Sequence, residues 1–532
     1  MKKILSVMML ALFLLNTLWA YTGEVIKSFD TPGSCPTGLT YDGKSLWLAD
    51  RKADRLFCIN PKSGKVIKSI DSPAYWPMGL CWDGEALWNS DWKERKIYRI
   101  NPQTGIILKA VDAPEGSPRG LAWDGKYLWC ADERADKIIQ FSPDDGTTIR
   151  EFKSPANDPR GLCFDGTYLW VSDRIKDEIY MVDPESGCVV LITEAPGPFT
   201  RGLAFDGKNL WAADYQNNKI YQLKVRDKEL FIRKNERRAK VMFTHQVKNF
   251  GPNNIKTLDV HLAIPVNRDN QEINGEIVYT PNFTKIVTDK WGQKTALFSM
   301  KNLENQTIQN VISVVDATVY ETRYFIFPDK VGSLKKIPKD IAALYLENNE
   351  KYQVDHPVIQ DALNKCVGEE KNPYWIARKI FNYLIENMYY EMVGGWNTAP
   401  TVLARGNGSC SEYTFVYTAM CRAAGLPARY VGSVVVRNDD ASMDDVFHRW
   451  AEVYLPNYGW IPVDPSGGDN EQPRDQANYF GHLANRFLIT TESGGGSKTM
   501  GWTYNSNEFW TSEPQTKVEI ETIAEWEPAA DN

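Results

Sequence analysis

Five copies of a strand-rich unit, a following stretch that alternates like strands without repeating, and a final stretch of helical periodicity around one cysteine predict a multidomain protein. The fold class expected is a five-bladed β-propeller, then a β-sandwich-like middle domain, then an α+β domain. At 532 residues the chain has room for domains of about 100–200 residues each. Apolar residues make up 43% and charged residues 24%, the balance of folded soluble protein. A net charge of −7 argues against nucleic acid as a general partner.

Residues 1–20 read as a signal peptide. Lys2 and Lys3 precede an almost wholly apolar run, Ile4 to Leu15, and Leu18-Trp19-Ala20 offers a cleavage end. The run is short for spanning about 30 Å of hydrocarbon. The expectation is an extracytoplasmic protein, periplasmic or secreted, with no integral membrane segment after cleavage.

The repeat occupies residues 21–225. Tryptophans recur every 41 residues, at Trp47, Trp88, Trp129, Trp170 and Trp211. Asp50, Asp91, Asp132, Asp173 and Asp214 keep the same step, as do Gly-Leu pairs beginning at Gly38, Gly79, Gly120, Gly161 and Gly202. Each unit reads as four short strands with an Asp-Gly hairpin signal between the first two, which is the pattern of a propeller blade. Val25 to Asp30 matches Val66 to Asp71, a fourth strand, while the last unit lacks one. The N-terminal strand should therefore complete the last blade and leave no free edge. The tryptophans read as core wedges between blades rather than a sugar platform.

The residue before each Gly-Leu pair is Thr37, Met78, Arg119, Arg160 and Arg201. Three adjacent units thus place arginine alike, which makes Arg119, Arg160 and Arg201 a candidate ligand site for an anion. The structural alternative is pairing with the repeat aspartates. Nine cysteines are an odd count, and six fall in the first half without disulfide-like spacing. Most read as buried free thiols.

Residues 226–340 carry strand alternation with polar turns, expected as a β-sandwich-like domain. His245 and His261 fall on its strands. With no cysteine or third histidine nearby they read as structural rather than metal ligands. No metal or cofactor is expected anywhere in the chain. From residue 341 the period becomes helical, with helices expected over His356 to Cys366 and Pro373 to Asn387. This domain is expected over 341–515, with 516–532 as an acidic C-terminal tail that frays.

The informative stretch is Gly406-Asn407-Gly408-Ser409-Cys410-Ser411-Glu412-Tyr413. A glycine-rich loop delivers Cys410 to the start of an apolar helical run that Gly425-Leu426-Pro427 stops. A helix N-terminus favours an anion, so the thiol should titrate toward thiolate there. The bland reading of a lone cysteine is a small buried hydrophobe. Downstream, His448 opens a strand in which Trp450 and Glu452 share its face, and Asp464 ends the returning strand. Strands about 4.8 Å apart would bring Asp464 beside His448. Nucleophile, base and orienter in this order form a plausible Cys-His-Asp set. His482 is an alternative base. The four aspartates between Asn438 and Asp445 fit no EF-hand spacing and read as a solvated loop.

Gly-x-Gly-x-Cys opening a helix, then Ala-Ala-Gly-Leu-Pro-Ala-Arg-Tyr-Val-Gly, then His-x-Trp-x-Glu-Val-Tyr, then Gly-Trp-x-Pro-x-Asp-Pro, resembles the transglutaminase-like superfamily over about Lys371 to Ser466. The resemblance implies a papain-like core with Cys410 as nucleophile, His448 as base and Asp464 as orienter. The repeats resemble extracellular NHL-like or lyase-type propellers. Together these imply a cysteine enzyme acting through a thioester on a protein or peptide substrate, by cross-linking or hydrolysis. Trp396 and Asn397 are candidate donors to the oxyanion. The alternatives are a cysteine peptidase, a peptide N-glycanase-type amidase, or a catalytically inert secreted binding protein whose propeller holds a ligand.

Overall fold

The computed structural model describes residues 21–226, 228–392, 395–435 and 442–529. The expected signal peptide lies outside the described residues, as do Asp439 and Asp440 of the acidic loop. Among the described residues, no helix is long and apolar enough to cross a membrane. The chain divides into two compact units, Met1–Leu230 with Gln472–Ala477, and Phe231–Glu471 with Asn478–Asn532.

The first unit contains five four-stranded antiparallel sheets. The first runs Pro36–Tyr41, Leu46–Asp50, Arg55–Ile59 and Val66–Asp71, and the next three follow the same plan. The fifth takes Thr200–Phe205, Leu210–Asp214 and Lys219–Leu223 and completes itself with Val25–Asp30, which sets Asp30 opposite Lys219. The first strands of successive sheets lie side by side, and Thr200–Phe205 lies beside Pro36–Tyr41.

The repeat residues explain the sheets. Each wedge tryptophan is at most 2% exposed. Its indole N–H donates to the aspartate of the preceding Asp-Gly turn at 2.8–2.9 Å, from Trp47 to Asp42 through Trp211 to Asp206. The other oxygen of that carboxylate takes two N–H groups of the hairpin, as Asp42 does from Lys44 and Ser45. Gly43 supplies the left-handed φ of +92° that the turn requires. Trp47 then packs on Leu80 and Leu87 of the following unit. The second repeat aspartate is spent on backbone. Asp50 accepts from the N–H groups of Cys35, Lys52 and Ala53 at 2.7–3.0 Å. The arginines therefore do not pair with the repeat aspartates. None of the nine cysteines forms a disulfide.

In the second unit, two sheets share one core. One has the order Gln271–Ile273, Thr307–Tyr324, Phe231–Gly251, Lys517–Pro528, Ser442–Asp444, and the other Lys285–Thr288, Lys294–Leu303, Ile255–Ala263, Ser506–Ser512. Val241, Phe243, Val315, Leu258, Val260, Phe298 and Trp526 meet between them. Two expectations need correction here. The expected acidic tail, 516–532, is not a frayed tail over its described residues 516–529, because Lys517–Pro528 pairs along Phe231–Gly251. The two layers are likewise not confined to residues 226–340, since both take a strand from beyond residue 500. The reason is legible in hindsight: Val518, Ile520, Ala524 and Trp526 alternate with Glu519, Glu521, Glu525 and Glu527. The acidic count hid a period-two strand. Asp444 is also buried rather than solvated, accepting from Val435 N–H at 2.8 Å. His245 and His261 bond Ser506 and Thr295, each at 2.9 Å.

The helices gather on a third sheet, ordered Gly459–Val463, His448–Leu455, Ala428–Val435, Phe487–Ser493. Pro357–Cys366, Pro373–Asn387 and Ala399–Arg405 pack around the helix Cys410–Ala423, which lies against the histidine strand. That helix is buried along almost its whole length, as its apolar surroundings on all faces require.

Trp526 is 1% exposed in the two-layer core. Replacing Trp526 with Ala is expected to destabilise the second unit by about 3–5 kcal/mol. Urea unfolding followed by circular dichroism measures this, and an unchanged midpoint would contradict the pairing of the C-terminal strand.

Candidate active site

Cys410 is the first residue of its helix, and Ser409 precedes it in extended conformation as the N-cap. Glu412, on the same first turn, is wholly buried. Its carboxylate accepts the backbone and side-chain N–H of Asn397 (2.9 and 3.0 Å), the guanidinium of Arg405 (2.9 Å) and the Ser409 N–H (3.3 Å). One acid thereby ties the segment before the cysteine, the end of the preceding helix and the loop to the cysteine helix. A buried carboxylate is tolerated because each oxygen is satisfied and one partner is charged.

His448 begins its strand opposite Ser433. Its Nε2 bonds Asp464 Oδ2 at 2.7 Å. The ring is held between Trp450 and Phe487, each with its centroid 5.7 Å away. Asp464 follows the strand Gly459–Val463, and its second oxygen accepts Ser466 Oγ (2.6 Å), Ser466 N–H (3.1 Å) and Gly467 N–H (3.2 Å). With Nε2 committed to Asp464, Nδ1 is the nitrogen left for the Cys410 thiol, with which His448 interacts electrostatically.

Burial pushes the Cys410 thiol up, but the His448 side chain and its charge outweigh it, aided by Arg449. The net direction is down. Burial likewise pulls His448 down, and the Asp464 carboxylate and Cys410 together reverse this and raise it to about 10. Asp464 ends below the usual carboxylate range because His448, Ser466 and Gly467 offset its desolvation. The three shifts agree on one state, a thiolate beside an imidazolium held by a carboxylate.

Of the two oxyanion candidates, Asn397 spends its amide on Glu412. The indole N–H of Trp396 has no hydrogen-bond partner among the described residues, and its ring lies 4.8 Å from the Arg449 guanidinium. Arg449 is fully buried, also ringed by Tyr504 (4.3 Å), Tyr430 (4.5 Å) and Phe415 (5.4 Å). A cleft lined by Glu350, Lys351, Gly395, Trp396 and Trp502 opens beside it. Both ring nitrogens of His482 are engaged elsewhere, with Glu321 at 3.1 Å and Asn478 O at 3.0 Å. Glu452 joins Arg268, Arg429 and Glu492 in a ring of alternating charges that binds the histidine strand to its neighbours.

Sequence reasoning missed Glu412, Arg449, Ser466 and Tyr504. The Ser409-x-x-Glu412 spacing is a capping-box pattern and could have flagged the first. Asp464-Pro465-Ser466 has the makings of a side-chain-to-backbone turn. Nothing local marks Tyr504, whose ring meets the Arg449 guanidinium from a distant part of the chain.

If Asp464 holds the proton on His448, nitrogen NMR of labelled histidine should find the ring protonated at about pH 8, above the ordinary value of about 6.5. In Asp464→Asn the raising charge is gone, and the His448 midpoint should fall by about 1–3 pH units. A midpoint unmoved by the substitution would contradict the pairing.

Two curated relatives were found. One, from Haemophilus influenzae and described only as uncharacterized, is 28% identical over 237 residues, 38% of this chain and 62% of the relative. The other, YebA of Bacillus subtilis, is 24% identical over 159 residues, 28% of this chain and 19% of the relative. The chain thus spans less than two thirds of the length of either. Among solved structures, a proposed cysteine protease from Cytophaga hutchinsonii aligns over 55% of this chain and 92% of its own (14% identity, TM-score 0.39). A virginiamycin B lyase from Staphylococcus aureus aligns over 37% of this chain and 69% of its own (23% identity, TM-score 0.26). The model of the Transglutaminase-like superfamily matches residues 360–465, the span that holds Cys410, His448 and Asp464, and the chain therefore carries a transglutaminase-like domain.

Proposed function

We propose that this chain is an extracytoplasmic cysteine enzyme that transfers or hydrolyses acyl groups at protein or peptide amides through a thioester on Cys410. The observation that carries the reading is the His448–Asp464 hydrogen bond, with its electrostatic coupling to Cys410 at the buried N-terminus of a helix. Cys410 Sγ attacks the amide carbonyl and forms a C–S bond. The oxyanion meets the Cys410 N–H and the indole N–H of Trp396. The C–N bond then breaks, and His448 gives its proton to the leaving amine or ammonia. Water or an amine attacks the thioester, loses a proton to His448, and releases the thiolate. Asp464 keeps the imidazole in one tautomer and stabilises its charge.

The extracytoplasmic location rests on the signal-peptide pattern of residues 1–20. The five sheets of the first unit are read as a closed five-bladed propeller, supported by the side-by-side order of their first strands. Its role in this reading is to bind or position substrate.

Incubation with glutamine-containing peptides, with and without a primary amine, followed by mass spectrometry, tests the reaction. Amine incorporation marks cross-linking, glutamate formation marks deamidation, and shortened peptides mark proteolysis. Cys410→Ala should abolish every product while circular dichroism stays native. Full turnover in that variant would overturn the assignment.

A further inference from the structure

Three positions in each repeat escape the constraints that fix the rest. The repeat aspartate accepts the backbone N–H of the first, which leaves the side chains of Cys35, Trp76, Ser117, Asp158 and Phe199 free to vary. The second precedes the Gly-Leu pair and holds Thr37, Met78, Arg119, Arg160 and Arg201. The third follows the aspartate and holds Arg51, Trp92, Glu133, Arg174 and Tyr215. Because the first strand starts where the second ends, with Pro36 opposite Asp50, all three positions lie at the same end of every sheet.

Their side chains form a continuous belt from one sheet to the next. Arg51 lies 4.9 Å from the ring of Trp76, which stacks on Trp92 at 4.7 Å. Arg119 lies 5.4 Å from Trp92 and pairs with Glu133, which also takes Arg160 at 3.0 Å. Asp158 takes Arg160 at 2.6 Å and Arg174 at 2.5 Å. Arg174 then lies 5.1 Å from Phe199, and Arg201 lies 4.9 Å from Phe199 and 4.2 Å from Tyr215. Five arginines thus face two acids, in a chain whose net charge is −7.

The acids are already shared by Arg119, Arg160 and Arg174. Arg201 and Arg51 have no acidic partner among the described residues, and the buried Nε of Arg201 has no hydrogen-bond partner there. Burial pulls Arg201 down to about 10; Cys35 opposes this, and the charges of Arg160 and Arg51 add to it. A partly buried guanidinium beside like charges is a standing cost that an anion would relieve. The guanidinium fork suits a planar or tetrahedral oxyanion, and the ring pairs on either side suit a flat body.

We propose that this end of the first unit binds an oxyanion, carboxylate or phosphate, carried on a ring or other flat apolar body, with Arg201 and Arg51 as its charge partners and Trp76–Trp92 and Phe199–Tyr215 as its walls. The site does not depend on the Cys410 chemistry. It narrows the original arginine set, because Arg119 and Arg160 are committed to acids while Arg201 is not.

Calorimetric titration of the full mature chain with benzoate, phenyl phosphate, inorganic phosphate and uncharged benzamide tests the site, with tryptophan fluorescence as a second readout through Trp76 and Trp92. The expected result is saturable binding of benzoate or phenyl phosphate, weakened by salt, with benzamide silent. Whichever of the two binds identifies the oxyanion. Arg201→Gln should weaken binding by about tenfold or more. Arg51→Gln should act in the same direction and serves if the first variant fails to fold. Cys410→Ala should bind like wild type even if the enzyme reading fails. No saturable binding, equal binding of benzamide, inorganic phosphate binding as tightly as phenyl phosphate, or both arginine variants behaving as wild type would each overturn the proposal.

Discussion

A negative charge on Cys410, a residue only 8% exposed, must be held by something, and in the proposed site a protonated His448 holds it. Burial alone would keep Cys410 as an inert thiol, as it does Cys130 and Cys421, both pushed well up by desolvation. What differs at Cys410 is a neighbour that stays protonated. His448 stays protonated because Asp464 stands 2.7 Å away, and Asp464 stays ionised because a serine and two backbone N–H groups complete its other oxygen. Each group is in its charged form because the next one is.

Such a chain of charges works only if the backbone does not yield, and much of the second unit supplies that rigidity. Glu412 fastens the loop, the preceding helix and Asn397 to the helix that starts with Cys410. Trp450 and Phe487 fix the imidazole plane from the histidine strand and its sheet neighbour. The four-membered ring of Arg268, Glu452, Arg429 and Glu492 binds that strand to the two-layer region beneath. The motif glutamate of His-x-Trp-x-Glu is in this account a structural tie, two residues beyond Trp450 and on the same strand face as His448.

Much of this was legible in the sequence because it is local or periodic. The 41-residue spacing of the tryptophans exposed the five sheets, and a leftover strand at Val25 exposed how the fifth is completed. Cys410, His448 and Asp464 were legible because each sits at the boundary of an element that its neighbours announce. The failures have a common cause. The alternation in Lys517–Pro528 was masked by glutamates on the solvent side, so a strand read as a tail. Its partner, Phe231–Gly251, lies far back in the chain, and long-range pairing leaves no mark on either segment alone. Arg449 carries no sequence signal of its role, and only the assembled fold surrounds it with four aromatic rings. The arginines of the first unit read as equivalent, yet the two acids that separate them, Glu133 and Asp158, fall at positions the repeat does not conserve within itself.

The central claim is that Cys410 carries a thiolate because His448 is protonated beside it. Iodoacetamide labelling of the reduced mature protein at about pH 6, below the ordinary thiol pKa, tests it when wild type and His448→Ala are compared by mass spectrometry. The account predicts fast, selective modification of Cys410 in wild type and its collapse in the variant, with the other eight cysteines unmodified in both. Slow labelling of Cys410 in wild type, or equal labelling in the two proteins, would contradict it.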